Sequence, residues 1–169
     1  NVSIHEIGCG ICDMYAFLKE NKLDTVKYIG TDIVPEMIEG AQGRYPDIEL
    51  HVRDVMKLED VTYDYNVLSG VFNLPGAVED NDWRDFCFAM IDKMFALSNR
   101  ACSFNFLTTN GTFQAPELYY FDPTEVFNYC LQKHSRFVVL DNCYPLYEFT
   151  ITVFQKEYMA QKYAHENLK

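Results

Sequence analysis

Apolar residues along the chain gather in short runs that alternate between two periodicities. Val2–Ile7 is an apolar run bounded by Gly8, and Asp13–Glu20 follows with Met14, Phe17 and Leu18 at helical spacing, which predicts strand, tight turn and helix. Thr25–Thr31 predicts a second strand. Pro35 then opens a helix at its first position, where a missing N–H costs little, and Ile38, Ala41 and Tyr45 form the inner face. Glu49–Arg53 reads as a third strand ending at Asp54, and Tyr65–Phe72 as a fourth. Nearly continuous apolar strands of this kind suit a sheet covered on both faces.

Asp80, Asn81 and Asp82 can cap a longer helix whose apolar positions, from Trp83 through Phe86, Cys87, Met90 and Met94 to Leu97, recur at steps of three and four. Ala101–Leu107 predicts a fifth strand. Asp122-Pro123-Thr124-Glu125 has the spacing of a capping box, so a helix should run from Pro123 to Gln132. Arg136–Leu140 and Tyr147–Phe154 are strand-like with only "DNCYPL" between them, a link short enough for antiparallel strands but not for a parallel crossover. The expected fold is therefore α/β: a doubly wound, mostly parallel, seven-stranded sheet with a C-terminal antiparallel hairpin strand and helices on both faces. One domain should span 1–155, and the polar tail 156–169 could be helical or frayed.

Composition narrows this picture. A chain of 169 residues is long enough to bury a core as one domain, and 49% hydrophobic with 15% aromatic residues argues against disorder. Its formal net charge of −11, with 14 scattered Lys and Arg, argues against a nucleic-acid partner, which needs clustered basic groups. No apolar stretch of about 18 residues is present, so no membrane span is expected. Cys9, Cys12, Cys87, Cys102, Cys130 and Cys143 form no disulfide framework, which points to a reducing, cytoplasmic setting. The sequence opens at Asn1 and enters a strand almost at once, which leaves room for an upstream lid or helix.

The chemistry concentrates in "HEIGCGICD", residues 5–13. In a doubly wound sheet the ligand sits beyond the carboxyl ends of the strands at the switch point, where this stretch falls, and glycine permits a tight turn and close backbone approach. A dinucleotide site would place a third glycine at position 13, but Asp13 stands there and would repel a pyrophosphate. Cys9-Gly10-Ile11-Cys12 is formally a C-x-x-C pair, although the surrounding element order is not thioredoxin-like and no second ligand pair with zinc spacing exists. No metal site is expected. Three acidic residues fall at successive strand ends: Glu6 after the first, Asp32 after the second and Asp54 after the third.

With these residues in this order, the chain resembles the class I S-adenosylmethionine-dependent methyltransferases over nearly its whole length. "EIGCGIC" matches the family's acidic residue followed by G-x-G-x-G, with Cys12 in place of the last glycine. The resemblance implies that Gly8, Cys9 and Gly10 line the methionine part of the cofactor and that Glu6 contacts it directly or through water. It implies that Asp32 in "IGTDIVPEMI" accepts from both ribose hydroxyls and that Ile33 packs on the adenine. Asp54 in "HVRDVMKL" would accept from the adenine amino group with Val55 beside it, and Ser69, Gly70 and Val71 in "YDYNVLSGVFNL" would form the cofactor edge. S-adenosyl-L-methionine is then the cofactor and S-adenosylhomocysteine the product.

Methyl transfer from a sulfonium is an in-line displacement in which positioning supplies much of the catalysis, and a base is needed only where the acceptor must lose a proton. No residue is singled out as a catalytic base. His5 reads as strand-buried, His51 lies on the third strand, and His134 reads as a surface residue past a helix end. The family's N-P-P-Y type motif is absent, which argues against adenine or glutamine acceptors. "TTNGTFQAPELYYFDP" could form an aromatic lid carrying Phe113, Tyr119, Tyr120 and Phe121, with Phe72, Asn73 and Asn105 facing the same cleft. Without a basic groove or recognition domain, the expected partner is a small metabolite or sugar-like acceptor; oligomeric state is not readable. Two other readings stay open at this stage: an NAD-type oxidoreductase on a similar fold, and a non-catalytic cofactor-binding or interaction domain.

Overall fold

The computed structural model describes residues 2–23 and 25–164. Its elements follow the chain as β1 (Val2–Ile7), α1 (Asp13–Glu20), β2 (Val26–Asp32), α2 (Pro35–Arg44), β3 (Glu49–Val52) and β4 (Tyr63–Leu68). They continue as α3 (Asp80–Ala96), β5 (Ser98–Thr108), β6 (Tyr120–Phe121), α4 (Pro123–Lys133), β7 (Val138–Asp141), β8 (Glu148–Phe154) and α5 (Lys156–Lys162). The sheet has the order β3-β2-β1-β4-β5-β8-β7, with β6 paired to β5. β1 to β5 run parallel, while β8 pairs antiparallel with both β5 and β7. The strand order reverses between β1 and β4, which places the switch point beside Gly8.

Alternation along the strands sends successive side chains to opposite layers. Tyr28 of β2 packs with Leu18 of α1 and with Ile38 and Ala41 of α2. Phe104 and Phe106 of β5 pack instead with Met90 and Met94 of α3 and with Val126 and Cys130 of α4. The two helix pairs thus cover opposite faces. A polar line crosses the buried sheet between these layers. His5 Nδ1 lies 2.7 Å from Asn66 Oδ1 and His5 Nε2 lies 2.7 Å from Thr31 Oγ1. Asn66 Nδ2 donates to Ser98 Oγ, which donates to the Met94 carbonyl. Because Asn66 Oδ1 can only accept, the Nδ1–H tautomer of His5 is the one this line selects. Burial pushes the imidazole down to about 4.

Several expectations are corrected. The fourth strand begins at Tyr63 and stops at Leu68, because Gly70 takes a left-handed conformation (φ +77°) and Val71–Asn73 coil into a 3-10 turn. That turn swings Phe72 into the core, where its ring stacks on Phe106 at 4.5 Å. Pairing of Leu107 and Thr108 with Tyr120 and Phe121 adds an eighth, two-residue strand to the seven expected. Asp122 caps α4 by accepting from the Thr124 amide at 2.8 Å, but Glu125 turns away from the cap to meet Arg84 of α3. The reciprocal half of the capping box is therefore replaced by a tie between helices. Part of the polar tail forms α5, whose Tyr158 stacks on Phe154; residues 165–169 lie outside the described ones. His134 is not a surface group: its side chain is 7% exposed, packed against Phe95 with Nε2 2.9 Å from Asp92 Oδ1.

Candidate active site

The turn between β1 and α1 is built on three left-handed residues: Gly8 (φ +67°), Gly10 (φ +52°) and Cys12 (φ +65°). Gly8 and Cys9 both donate backbone N–H to the Thr31 carbonyl, at 2.7 and 3.1 Å, which seats the turn on the end of β2. A Cβ on Gly8 would fall 2.3 Å from Val71 Cγ2, so this glycine is required for space as well as for backbone conformation. A Cβ on Gly10 would meet no atom within 4 Å; it would stand in the open space above the turn. Cys12, which stands where the resembling family carries glycine, holds the conformation that a glycine favours, and its side chain is buried.

Asp32 organises the mouth of the site. It is 9% exposed, and its Oδ2 accepts from Gly10 N–H while its Oδ1 accepts from Val34 N–H, each at 2.9 Å. Each carboxylate oxygen keeps a further lone pair for a ligand hydroxyl. Glu6, buried at the end of β1, accepts a hydrogen bond from the Tyr28 hydroxyl. Burial drives Glu6 up to about 7, against the opposing effect of that bond, and burial likewise pushes the Tyr28 phenol up. The Cys9 thiol donates to the Gly10 carbonyl at 3.9 Å, and the proximity of the two cysteines lowers the Cys12 thiol and raises that of Cys9. Asp54 caps the short 3-10 turn Val55–Lys57, accepting from Met56 N–H at 3.0 Å.

Three cavities lie along the carboxyl ends of the strands. One of about 340 Å3 holds Asp32, Ile33, Asp54, Val55 and Val71 on its walls. A second, of about 710 Å3, has Glu6, Cys9, Gly10 and Ser69 on its walls. The two meet at Gly8, which lines both. A third, of about 230 Å3, shares Val67 and Ser69 with the second and extends to Asn105 and Glu148. The acidic groups singled out in the sequence therefore lie along one cleft, with Val71 beside Asp54 and away from Ser69. Gly70 sits on the rim, where its N–H donates to Asn105 Oδ1 at 2.9 Å.

The lid residues are distributed differently. Phe72 is fully buried and does not reach the cleft. Asn73 receives the Tyr119 N–H on its backbone carbonyl, and its Oδ1 is buried without a hydrogen-bond partner. Tyr119 packs against Phe121 at the edge of the core, and the Tyr120 hydroxyl accepts from Ala115 N–H at 2.8 Å within its own loop. None of these four lines any of the three cavities. Conversely, Arg53, Met56, Phe86 and Met90 line the smaller of the two joined cavities, and Met14 and Met37 the larger. Helical periodicity marks Phe86 and Met90 only as core positions, since packing and cavity-lining residues share one apolar pattern. Among the described residues no cluster of His, Cys, Asp and Glu could hold a metal ion.

A family model described as a methyltransferase domain matches residues 4–94, which include the glycine turn and all three acidic residues. The Mycobacterium tuberculosis protein Rv1506c, which bears a methyltransferase name, is 35% identical over 153 residues, covering 89% of this chain and 92% of that one. The chain belongs to the class I S-adenosylmethionine-dependent methyltransferases. Solved methyltransferase structures share the fold. Magnesium protoporphyrin IX methyltransferase from Synechocystis PCC 6803, with bound S-adenosylmethionine, aligns with TM-score 0.66 at 14% identity, covering 92% of this chain and 71% of that one. A TehB-like S-adenosylmethionine-dependent methyltransferase from Corynebacterium glutamicum aligns with TM-score 0.59 at 18% identity over 92% and 80%. Of the three readings of the glycine stretch, the methyl-donor one is that of the family, and this methyltransferase uses S-adenosylmethionine as its cofactor. No described helix is long and apolar enough to cross a membrane.

Proposed function

We propose that the two cavities joined at Gly8 hold the cofactor, adenosine in the smaller and methionine in the larger, and that the methyl group passes to a small metabolite or sugar-like acceptor. The carrying observation is that Gly8 lines both cavities while Asp32 stands between the turn and the smaller one. Asp32 takes the ribose hydroxyls, Ile33 and Val55 flank the adenine, and Asp54 takes its amino group. Gly8, Cys9, Gly10 and Ser69 surround the methionine part, with Glu6 beneath it; Gly70 and Val71 border the site from the β4 side. When bound, the cofactor supplies an electrophilic methyl group on a cationic sulfur. The chain orients it and excludes water, which are the main contributions a displacement of this kind needs.

The small acceptor is supported by the net charge of −11 and by the compact connections between the described elements. Free thiols at all six cysteines suit a cytoplasmic setting. Calorimetric titration with S-adenosylhomocysteine, with NADH in parallel, tests the cofactor assignment. Micromolar binding of the former alone is the expected result. Binding that survives Asp32→Ala unchanged would remove the ribose assignment.

A further inference from the structure

We infer that the third cavity, between the ends of β4, β5 and β8, is the methyl-acceptor site, and that it takes a neutral, hydroxyl-bearing molecule of sugar or polyol type. This rests on the cofactor assignment above, because Ser69 and Val67 form both the wall of the methionine cavity and the edge of this one. An acceptor must lie in line with the reacting methyl, so the space next to the methionine cavity is where it belongs.

The lining names the chemistry. Beside an apolar floor of Val67, Leu68 and Phe104, the residues Ser69, Ser103, Tyr144 and Thr150 contribute hydroxyls, that of Ser103 being paired with Thr152, while Asn105 adds an amide and Glu148 a carboxylate. No cationic side chain is among them, which disfavours phosphorylated and carboxylate acceptors. Glu148 is held in place by its Oε2 accepting from Asn105 Nδ2 at 2.6 Å, and its remaining lone pairs can accept from ligand hydroxyls. Thr150 Oγ1 lies 2.8 Å from the Tyr144 hydroxyl, so the polar wall is internally bonded and offers its remaining lone pairs and protons to groups that both donate and accept. Hydroxyls do both. At about 230 Å3 the cavity falls below the roughly 300–1,000 Å3 of drug-sized pockets, so it admits one small ring and not an extended aromatic system.

Asn105 gives this wall a link to the cofactor side. Its Oδ1 holds Gly70 N–H while its Nδ2 holds Glu148, so one amide spans the rim of the cofactor cleft and the acceptor carboxylate. Asn105 is a positioning residue and Glu148 the group that meets the acceptor.

The test is an NMR titration of the uniformly 15N-labelled chain. S-adenosylhomocysteine is added first, so failure of the cofactor reading appears as an absence of shifts around Gly8 and Asp32. Methyl α-D-glucopyranoside, methyl α-D-mannopyranoside and myo-inositol are then titrated into the tens of millimolar, with or without the nucleoside present, and ethanolamine serves as the cationic comparison. At least one polyol should give saturable shifts at the Asn105 side-chain amide and at the Ser69 and Glu148 backbone amides. Glu148→Gln and Thr150→Val should each weaken that binding about tenfold, about 1.4 kcal/mol, with S-adenosylhomocysteine affinity within about twofold of the parent. Shifts confined to residues 113–120, saturation by ethanolamine alone, no response to any polyol, or undiminished binding by both variants would each overturn the assignment.

Discussion

The backbone N–H of Gly10 donates to Asp32 Oδ2 over 2.9 Å, tying the turn after β1 to the acidic end of β2. Asp32 therefore has two tasks: it holds the glycine turn closed and it faces the smaller cavity. Asp32→Ala should weaken S-adenosylhomocysteine binding at least tenfold, about 1.4 kcal/mol, through lost charge-assisted bonds to two hydroxyls and a loosened turn. Calorimetry on the folded variant reads this directly. Asp32→Asn keeps an acceptor for Gly10 and should lose less.

Gly8 and Val71 form a second coupled pair. Gly8→Ala puts a methyl 2.3 Å from Val71 Cγ2 on a backbone at φ +67°, and conformation alone should cost about 1–2 kcal/mol. Adding Val71→Ala should recover the steric part of the loss but not the conformational part. Urea denaturation of the two single variants and the double variant isolates the coupling. Simple additivity would mean that the two side chains do not meet.

Cys12→Gly should leave cofactor affinity within about twofold of the parent, because φ +65° is a conformation that glycine enters without strain. The buried thiol leaves a small void, so a modest loss in denaturation midpoint is expected. A collapse of cofactor binding in the folded variant would give the Cys9–Cys12 pair a role beyond filling the turn.

Adjacent residues of β1 make opposite contributions to the pH dependence of stability. His5, held near 4 against an ordinary 6.5, stays neutral in the fold, so the unfolded chain binds more protons and stability rises with pH across that interval. Glu6, raised to about 7 from 4.5, keeps its proton in the fold, so stability falls as pH rises through that window. Between 4.5 and 6.5 the two oppose one another, and above 6.5 only Glu6 continues. Glu6→Gln should therefore stabilise the chain progressively from about pH 5 to about pH 8, by up to about 3 kcal/mol. Denaturant melts at both ends check it.

A cationic ligand beside Glu6 should favour its ionised form. Binding of S-adenosylmethionine below about pH 7 should then release a proton, and affinity should rise with pH through the raised pKa of Glu6. Titrations in two buffers of different ionisation enthalpy measure the proton count. Glu6→Gln should abolish the release.

Much of this protein was legible along the chain because its signals are local. The alternation of apolar runs, Pro35 and Pro123 at first helical positions, and a six-residue link between the last strands carry the order and pairing of elements. A left-handed turn seats glycine, and the ends of parallel strands open on one edge of the sheet, so Gly8, Gly10, Asp32 and Asp54 fall on the cavity walls in the order the chain and its family resemblance suggest. What the tertiary structure decided depends on contacts between distant segments. Gly70 breaks β4 early and turns Phe72 inward onto Phe106, which no apolar pattern distinguishes from a continuing strand. The aromatic stretch before α4 spends its polar groups on its own loop and on Asn73. Asn105 meets Gly70 because β4 lies parallel to β5, and meets Glu148 because β8 lies antiparallel on the other side, which places residues 35 and 43 positions away around one amide. Local backbone preference is written in neighbouring residues, whereas the choice of which side chains share a cavity is made by strand order and register.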